Sequence, residues 1–154
     1  MLGYLSPPAR VGRRDEMKDE SVFVRLTGDG DSIVGAFLGD PFAREVVWNG
    51  KCYENYNQEV HLQKRSVLRV MLNFYVPAEH RMKVFECGSF LFRDLLRMRD
   101  EYGFSRWLFE VHRHGESGDR NTRYFVVPSE QLNSAHIDEI SKLNLHDLEE
   151  LACG

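Results

Sequence analysis

Ten residues, Val67–Val76 (VLRVMLNFYV), constrain this chain more than any other stretch. Side chains of a strand point alternately to opposite faces, so the run splits into two sets. Leu68, Val70, Leu72, Phe74 and Val76 are all apolar and are expected to face a core. Val67, Arg69, Met71, Asn73 and Tyr75 include a cation, an amide and a phenol. That face suits neither plain water nor a plain core. Pro77–His80 supplies a turn, because proline fixes φ and brings no N–H to a ladder. Arg81–Cys87 is the return strand, with Arg81, Lys83 and Phe85 on one face and Met82, Val84 and Glu86 on the other.

The rest of the chain is read around this pair. Met1–Glu20, with Pro7-Pro8 and mixed charges, is expected to be a flexible arm. Ser21–Leu26 alternates and Ser32–Leu38 follows a glycine-containing turn, which predicts a hairpin over 22–38. Gly35 inside the second strand implies a bend, a bulge or a close backbone approach. Phe42–Lys64 reads as a long loop holding Trp48, Tyr53 and Tyr56, with a short hairpin at Asn49-Gly50. After the central pair, Leu91, Leu95, Met98 and Tyr102 form one apolar stripe, predicting a helix over Ser89–Tyr102. Ser105–His112 and Asn121–Val127 read as the last strand pair, with Pro128 as its stop. Ser134–Leu151 is helical in character, with Ser134 as the expected cap of a first segment carrying Ile137 and Ile140 and Asn144 as that of a second carrying Leu148 and Leu151.

Charge separates the body from this tail. Of 20 Lys and Arg, only Lys142 lies beyond Glu130, whereas five of the 24 Asp and Glu do. The net charge of −4 therefore belongs to the tail, and the body is neutral. A neutral body argues against a strongly basic duplex binder but leaves room for a local cationic groove. Cys52, Cys87 and Cys153 are scattered and odd in number, which points to free thiols in a reducing, cytoplasmic setting. No apolar run is long enough to cross a bilayer, so no membrane partner is expected.

The element order predicts a mainly β protein. Strands, a loop, two more strands, one helix and a last hairpin match a five-stranded Greek-key barrel of the OB type with an added strand and a C-terminal helical tail. The expected organisation is a flexible arm over 1–20, a barrel over 21–130 and a mildly acidic helical tail over 131–154. An α+β sandwich is the competing architecture.

The succession GDGDSIVGAFLGDP, LRVMLNFYVP, MKVFECG and WLFEVHRHGESGDRNTRYFVVP resembles the single-stranded-DNA-binding proteins of tailed bacteriophages. The resemblance spans about residues 22–128. Arg69 and Asn73, with Lys83-Val84-Phe85-Glu86 before Gly88, carry most of it. It implies an OB fold, largely sequence-independent binding of single strands in phage DNA replication and recombination, self-association on DNA, and a C-terminus that recruits replication or recombination proteins. Many relatives hold zinc in the loop after the first hairpin. Here that loop offers Cys52 and His61 without a CxxC, so no metal or other cofactor is expected.

Catalysis is not expected either. His112, His114 and Glu110 lack a further ligand, no nucleophile has an evident base, and no phosphate-cradling glycine motif is present. The residues expected to act are binding residues. Arg25, Lys51, Lys64, Arg65, Arg69, Lys83 and Arg123 would neutralise phosphates. Trp48, Tyr53, Tyr75 and Phe85 would stack on bases, with core packing as the alternative for Phe85. Asn73 would bond a base or phosphate, or hold a neighbouring loop. The competing function is a protein–protein interaction module on the same barrel.

Overall fold

The computed structural model describes residues 22–61 and 64–152, so the arm expected over Met1–Glu20, and Cys153, lie outside the described residues. Among those residues the strands are β1 (Ser32–Trp48), β2 (Tyr53–Asn55), β3 (Val67–Val76), β4 (Arg81–Gly88), β5 (Trp107–His114) and β6 (Arg123–Gln131). The helices are α1 (Ser89–Glu101), α2 (Ser134–Lys142) and the short α3 (Leu148–Leu151). All six strands join one antiparallel sheet in the order β4-β3-β1-β5-β6, with β2 paired to the far end of β1.

β1 is the hinge of this sheet. Its first half pairs with β5 and its second half with β3. It runs straight through Gly39-Asp40-Pro41, where the strand was expected to end, and on through the first part of the loop expected over Phe42–Lys64, because the ladder slips between Leu38 and Phe42. Gly39 takes φ +75 there, and the slip gives Pro41, which has no N–H, a place without a ladder bond. Trp48 then pairs with Tyr53 across the Asn49-Gly50 turn.

The concave side of the sheet holds the main core. Phe37, Leu72, Phe74, Phe85, Phe109 and Val111 meet there, and Leu91 and Leu95 of α1 close it from above. Phe85 packs within 5.6 Å of the Phe37 ring and 5.8 Å of the Phe74 ring. Cys87 is a buried free thiol in this core, and burial pushes its pKa up to about 12.

Two expectations are corrected. Residues 22–26 do not form a hairpin with β1. They run parallel to the free edge of β4: Val24 N–H donates to Val84 O at 2.9 Å and Val84 N–H to Val22 O at 2.7 Å. Val24 and Leu26 pack on the main core. This segment lies along the edge that a closed barrel would join to β6, and the sheet remains open rather than closing into a barrel. Strand β6 also continues past Pro128 to Gln131, as an edge strand allows.

The convex side is covered by the chain's own C-terminus. Leu132, Ile140 and Leu143 pack on Tyr75, Met82 and Leu108, while Leu148 packs on Met71 and Val84. α2 is capped by Asn133 rather than Ser134, through a reciprocal pair of bonds with His136. Asp147, not Asn144, caps α3. Among the described residues no helix is long and apolar enough to cross a membrane.

Gly35 fulfils the close-approach expectation. A Cβ there would collide with the Tyr75 backbone oxygen and lie 2.5 Å from Phe74 Cζ. Gly35→Ala should therefore destabilise the protein by about 1–3 kcal/mol or more, measured as a lower denaturant midpoint with unchanged slope.

Candidate functional site

The register of the β3–β4 pair sorts the expected site residues. Leu72 stands opposite Phe85 and Phe74 opposite Lys83, whereas Met71 stands opposite Glu86, Asn73 opposite Val84 and Tyr75 opposite Met82. Directly opposed residues share a face. Lys83 and Phe85 therefore lie on the core side, and Arg69, Asn73 and Tyr75 lie on the convex side.

Most of those groups have partners within the protein. Phe85 is core. Lys83 is nearly covered and pairs with Glu79 at 3.1 Å. Asn73 is 3% exposed and exchanges two hydrogen bonds with His146, accepting from its N–H at 2.8 Å and donating to its carbonyl at 3.2 Å. Tyr75 is 1% exposed, and its hydroxyl donates to Glu139. Burial, then the Glu139 carboxylate, pushes the Tyr75 pKa up to about 12. Asn73 and Tyr75 thus clasp the C-terminal segment, so neither they nor Phe85 meets solvent here.

A second group does assemble. Trp48, Lys51, Tyr53, Arg69 and Arg25 line one hollow of about 430 Å³ at the end of β1–β3. Trp48 is 54% exposed and stands edge-on to Tyr53 at 5.2 Å. The Arg69 guanidinium lies 4.9 Å from the Tyr53 ring centre, and Arg25 lies 5.5 Å from that of Phe23. Among the members of the lining that the expected site did not include are Phe23 and Arg44. Arg44 stood in what read as a loop, and only the long β1 brings it directly opposite Arg69.

That opposition is the main electrostatic feature of the hollow. Like charges directly across an antiparallel pair repel. Arg44 donates to Asn55 Oδ1 at 3.1 Å. Among the described residues Arg69 has Glu86 as an anionic neighbour, at 3.8 Å, and its buried Nε makes no hydrogen bond. An anion reaching Arg69 would meet that unmet donor.

The loop that carries the rings is built before any ligand arrives. Asn49 Oδ1 accepts from the N–H groups of Lys51 and Cys52 at 2.8 and 2.9 Å, and its Nδ2 donates to Glu54 at 2.8 Å. The other Glu54 oxygen meets Nε2 of buried His61 at 2.7 Å. His61 Nδ1 accepts from Asn57 N–H at 2.9 Å, so the imidazole is neutral with its proton on Nε2. The His61 bond, and then that from Asn49, holds the Glu54 carboxyl below its usual pKa.

Three expected cations stand apart from this hollow. Lys64 and Arg65 are exposed on the segment entering β3, and Arg123 is exposed at the start of β6. Among the described residues no three His, Cys, Asp or Glu side chains gather as a metal would require. No protein-family model, no curated protein and no solved structure matches this chain.

The clasp has a pH dependence of definite sign. The Tyr75 hydroxyl, followed by His80, holds Glu139 below its ordinary carboxylate pKa. A depressed carboxylate stabilises the docked state above its ordinary pKa, and this is lost as pH falls through the lowered value. Amide protection factors in Ser134–Lys142, corrected for the intrinsic exchange rate at each pH, should therefore fall on acidification from neutral pH into the carboxylate range, with the β3–β4 amides still protected.

Proposed function

We propose that this protein binds single-stranded DNA without catalysing a reaction, and that the Arg44–Arg69 hollow is where the strand is held. The observation that carries this reading is two guanidinium groups opposed across a ladder beside the Trp48 and Tyr53 rings. Cations draw the phosphates, and rings accept any base on their faces, so binding would be independent of sequence. A duplex keeps its base faces stacked and has nothing to offer Trp48.

The arrangement of elements supports the same reading. The order β4-β3-β1-β5-β6, with a helix before the last hairpin, is taken here as an OB-type sheet whose closing contact is replaced by residues 22–26. OB folds bind through the face and loops around their middle strands, which is where the β1–β2 turn and Arg69 lie. The phage single-stranded-DNA-binding proteins that the sequence resembles supply the proposed setting, replication and recombination in the host cytoplasm, with self-association on DNA. In this reading the C-terminal segment serves first as a structural cover of β3. Recruitment of replication proteins would fall to its exposed acidic side chains.

The competing reading is a protein-interaction module. The ion pairs of Arg69 with Glu86 and of Lys83 with Glu79 favour it. An acidic peptide would use the cations but would not need the rings in the same way.

Fluorescence anisotropy with labelled oligo-dT, matched duplex and an acidic peptide separates the two. Single strands should bind best and quench Trp48 emission. Trp48→Ala should weaken oligo-dT binding by about 1–3 kcal/mol, the worth of one stacked base. Arg69→Ala should also flatten the salt dependence, by about 0.7 in the slope of log K against log salt. Equal affinity for duplex and single strand, or tighter binding of the peptide, would replace this reading with the interaction module.

A further inference from the structure

On the other side of Arg69 lies a second hollow, of about 640 Å³, between the start of α1 and the start of β6. It carries the same kinds of groups as the first. Phe90 is the most exposed large apolar side chain described, at 80%, and Arg93 lies 5.6 Å from its ring centre. Tyr124 and Phe125 are 39% and 44% exposed. Arg123 is exposed beside them.

These rings are not loose surface decoration. Arg113 is buried and donates from Nη1 to the Tyr124 hydroxyl at 2.8 Å, which fixes that ring at the mouth of the hollow. Phe125 stands edge-on to His114 at 4.8 Å. An exposed phenylalanine at the start of a helix adds nothing to the core, and the apolar stripe of α1 does not include it.

Arg69 lines both hollows. It does so because Gly88 is its register partner and sets no side chain in the way. A Cβ at Gly88 would touch the Arg69 guanidinium at 3.6 Å. A smaller depression of about 160 Å³, also lined by Arg69, Gly88 and Tyr124, adjoins the two. Cations and rings therefore continue from Trp48 past Arg69 to Phe90 and Tyr124.

We propose that the Phe90–Tyr124 hollow is a second stacking subsite for the same strand, so that one single-stranded nucleic acid crosses Arg69 and occupies both. Arg69 then holds a phosphate at the crossing, Arg123 and Arg93 hold phosphates beyond it, and Phe90 and Tyr124 receive bases. This rests on the function proposed above, and it fixes the path of the strand and enlarges the length covered. The charge balance fits a polyanion rather than a peptide: of the hollow's lining, only Asp94 is anionic, and it already faces Arg97 at 3.2 Å.

The test compares oligo-dT of about 4 and about 12 nucleotides, the range of site sizes a single OB-type domain covers. In the wild type, affinity should rise steeply with length. In Phe90→Ala/Arg123→Ala the ratio of long to short affinity should fall about tenfold or more, for one lost stack and one lost phosphate contact. Both side chains are exposed, so an unchanged denaturation midpoint checks that the fold is intact. Photocrosslinking with 5-iodouracil in the longer oligomer should label peptides containing Phe90 or Tyr124. An unchanged length ratio and no label there would overturn the second subsite alone. Failure of the wild type to bind either oligomer would overturn the proposed function and this subsite with it.

Discussion

From Val70 to Val76 every residue of β3 is buried, so both faces of that strand need a cover. Most of the architecture follows from this. On the concave side the apolar set finds α1 and the aromatic cluster around Phe37. On the convex side a phenol and an amide cannot be left dry without partners, since an unmet buried polar group costs about 1–3 kcal/mol. The C-terminal segment meets both demands together. It brings Leu143 and Leu148 as apolar cover, and it brings the His146 backbone and the Glu139 carboxylate as hydrogen-bond partners for Asn73 and Tyr75.

The same strand leaves its first three residues outside that cover, and this is where the proposed binding site lies. Val67 and Leu68 are exposed and Arg69 is half-buried. At this end β1 has carried Arg44 and Trp48 past its bulge. The turn at Asn49-Gly50 returns Tyr53 beneath Arg69, and the Asn49–Glu54–His61 chain of bonds holds the turn still. A site assembled from a braced loop and a strand end loses little ordering entropy when a flexible polymer arrives.

The openness of the sheet has a local cause. β4 has a free edge, and residues 22–26 take it with two backbone bonds before Arg113 secures the Leu26 carbonyl at 3.2 Å. An edge already paired by its own chain does not pair with β6. The space where a barrel would have zipped shut becomes a seam instead, floored by Arg69 and Gly88 and walled by α1 and β6. The second hollow opens along that seam, and Arg69 is shared with the first.

Local periodicity was enough to place β3, the turn after it, β4 and α1 within a residue or two, because each has a clean period of two or 3.6 bounded by proline, glycine or a capping residue. It was not enough to say that Gly39-Pro41 lies inside a strand. A bulge is a property of two paired strands, and one of them was out of view. Nor could alternation within β3 and β4 say that Lys83 and Phe85 share a face with Leu72 and Phe74. That needs the register, and a slip of one residue would have put them with Arg69. The chain alone therefore determined which positions carry the apolar set of β3 and the apolar stripe of α1, since that follows from spacing. Which rings and cations stand together in water was decided only by the tertiary structure, through the register of β3 against β4 and β1 and through the C-terminal segment that lies over one face and not the other.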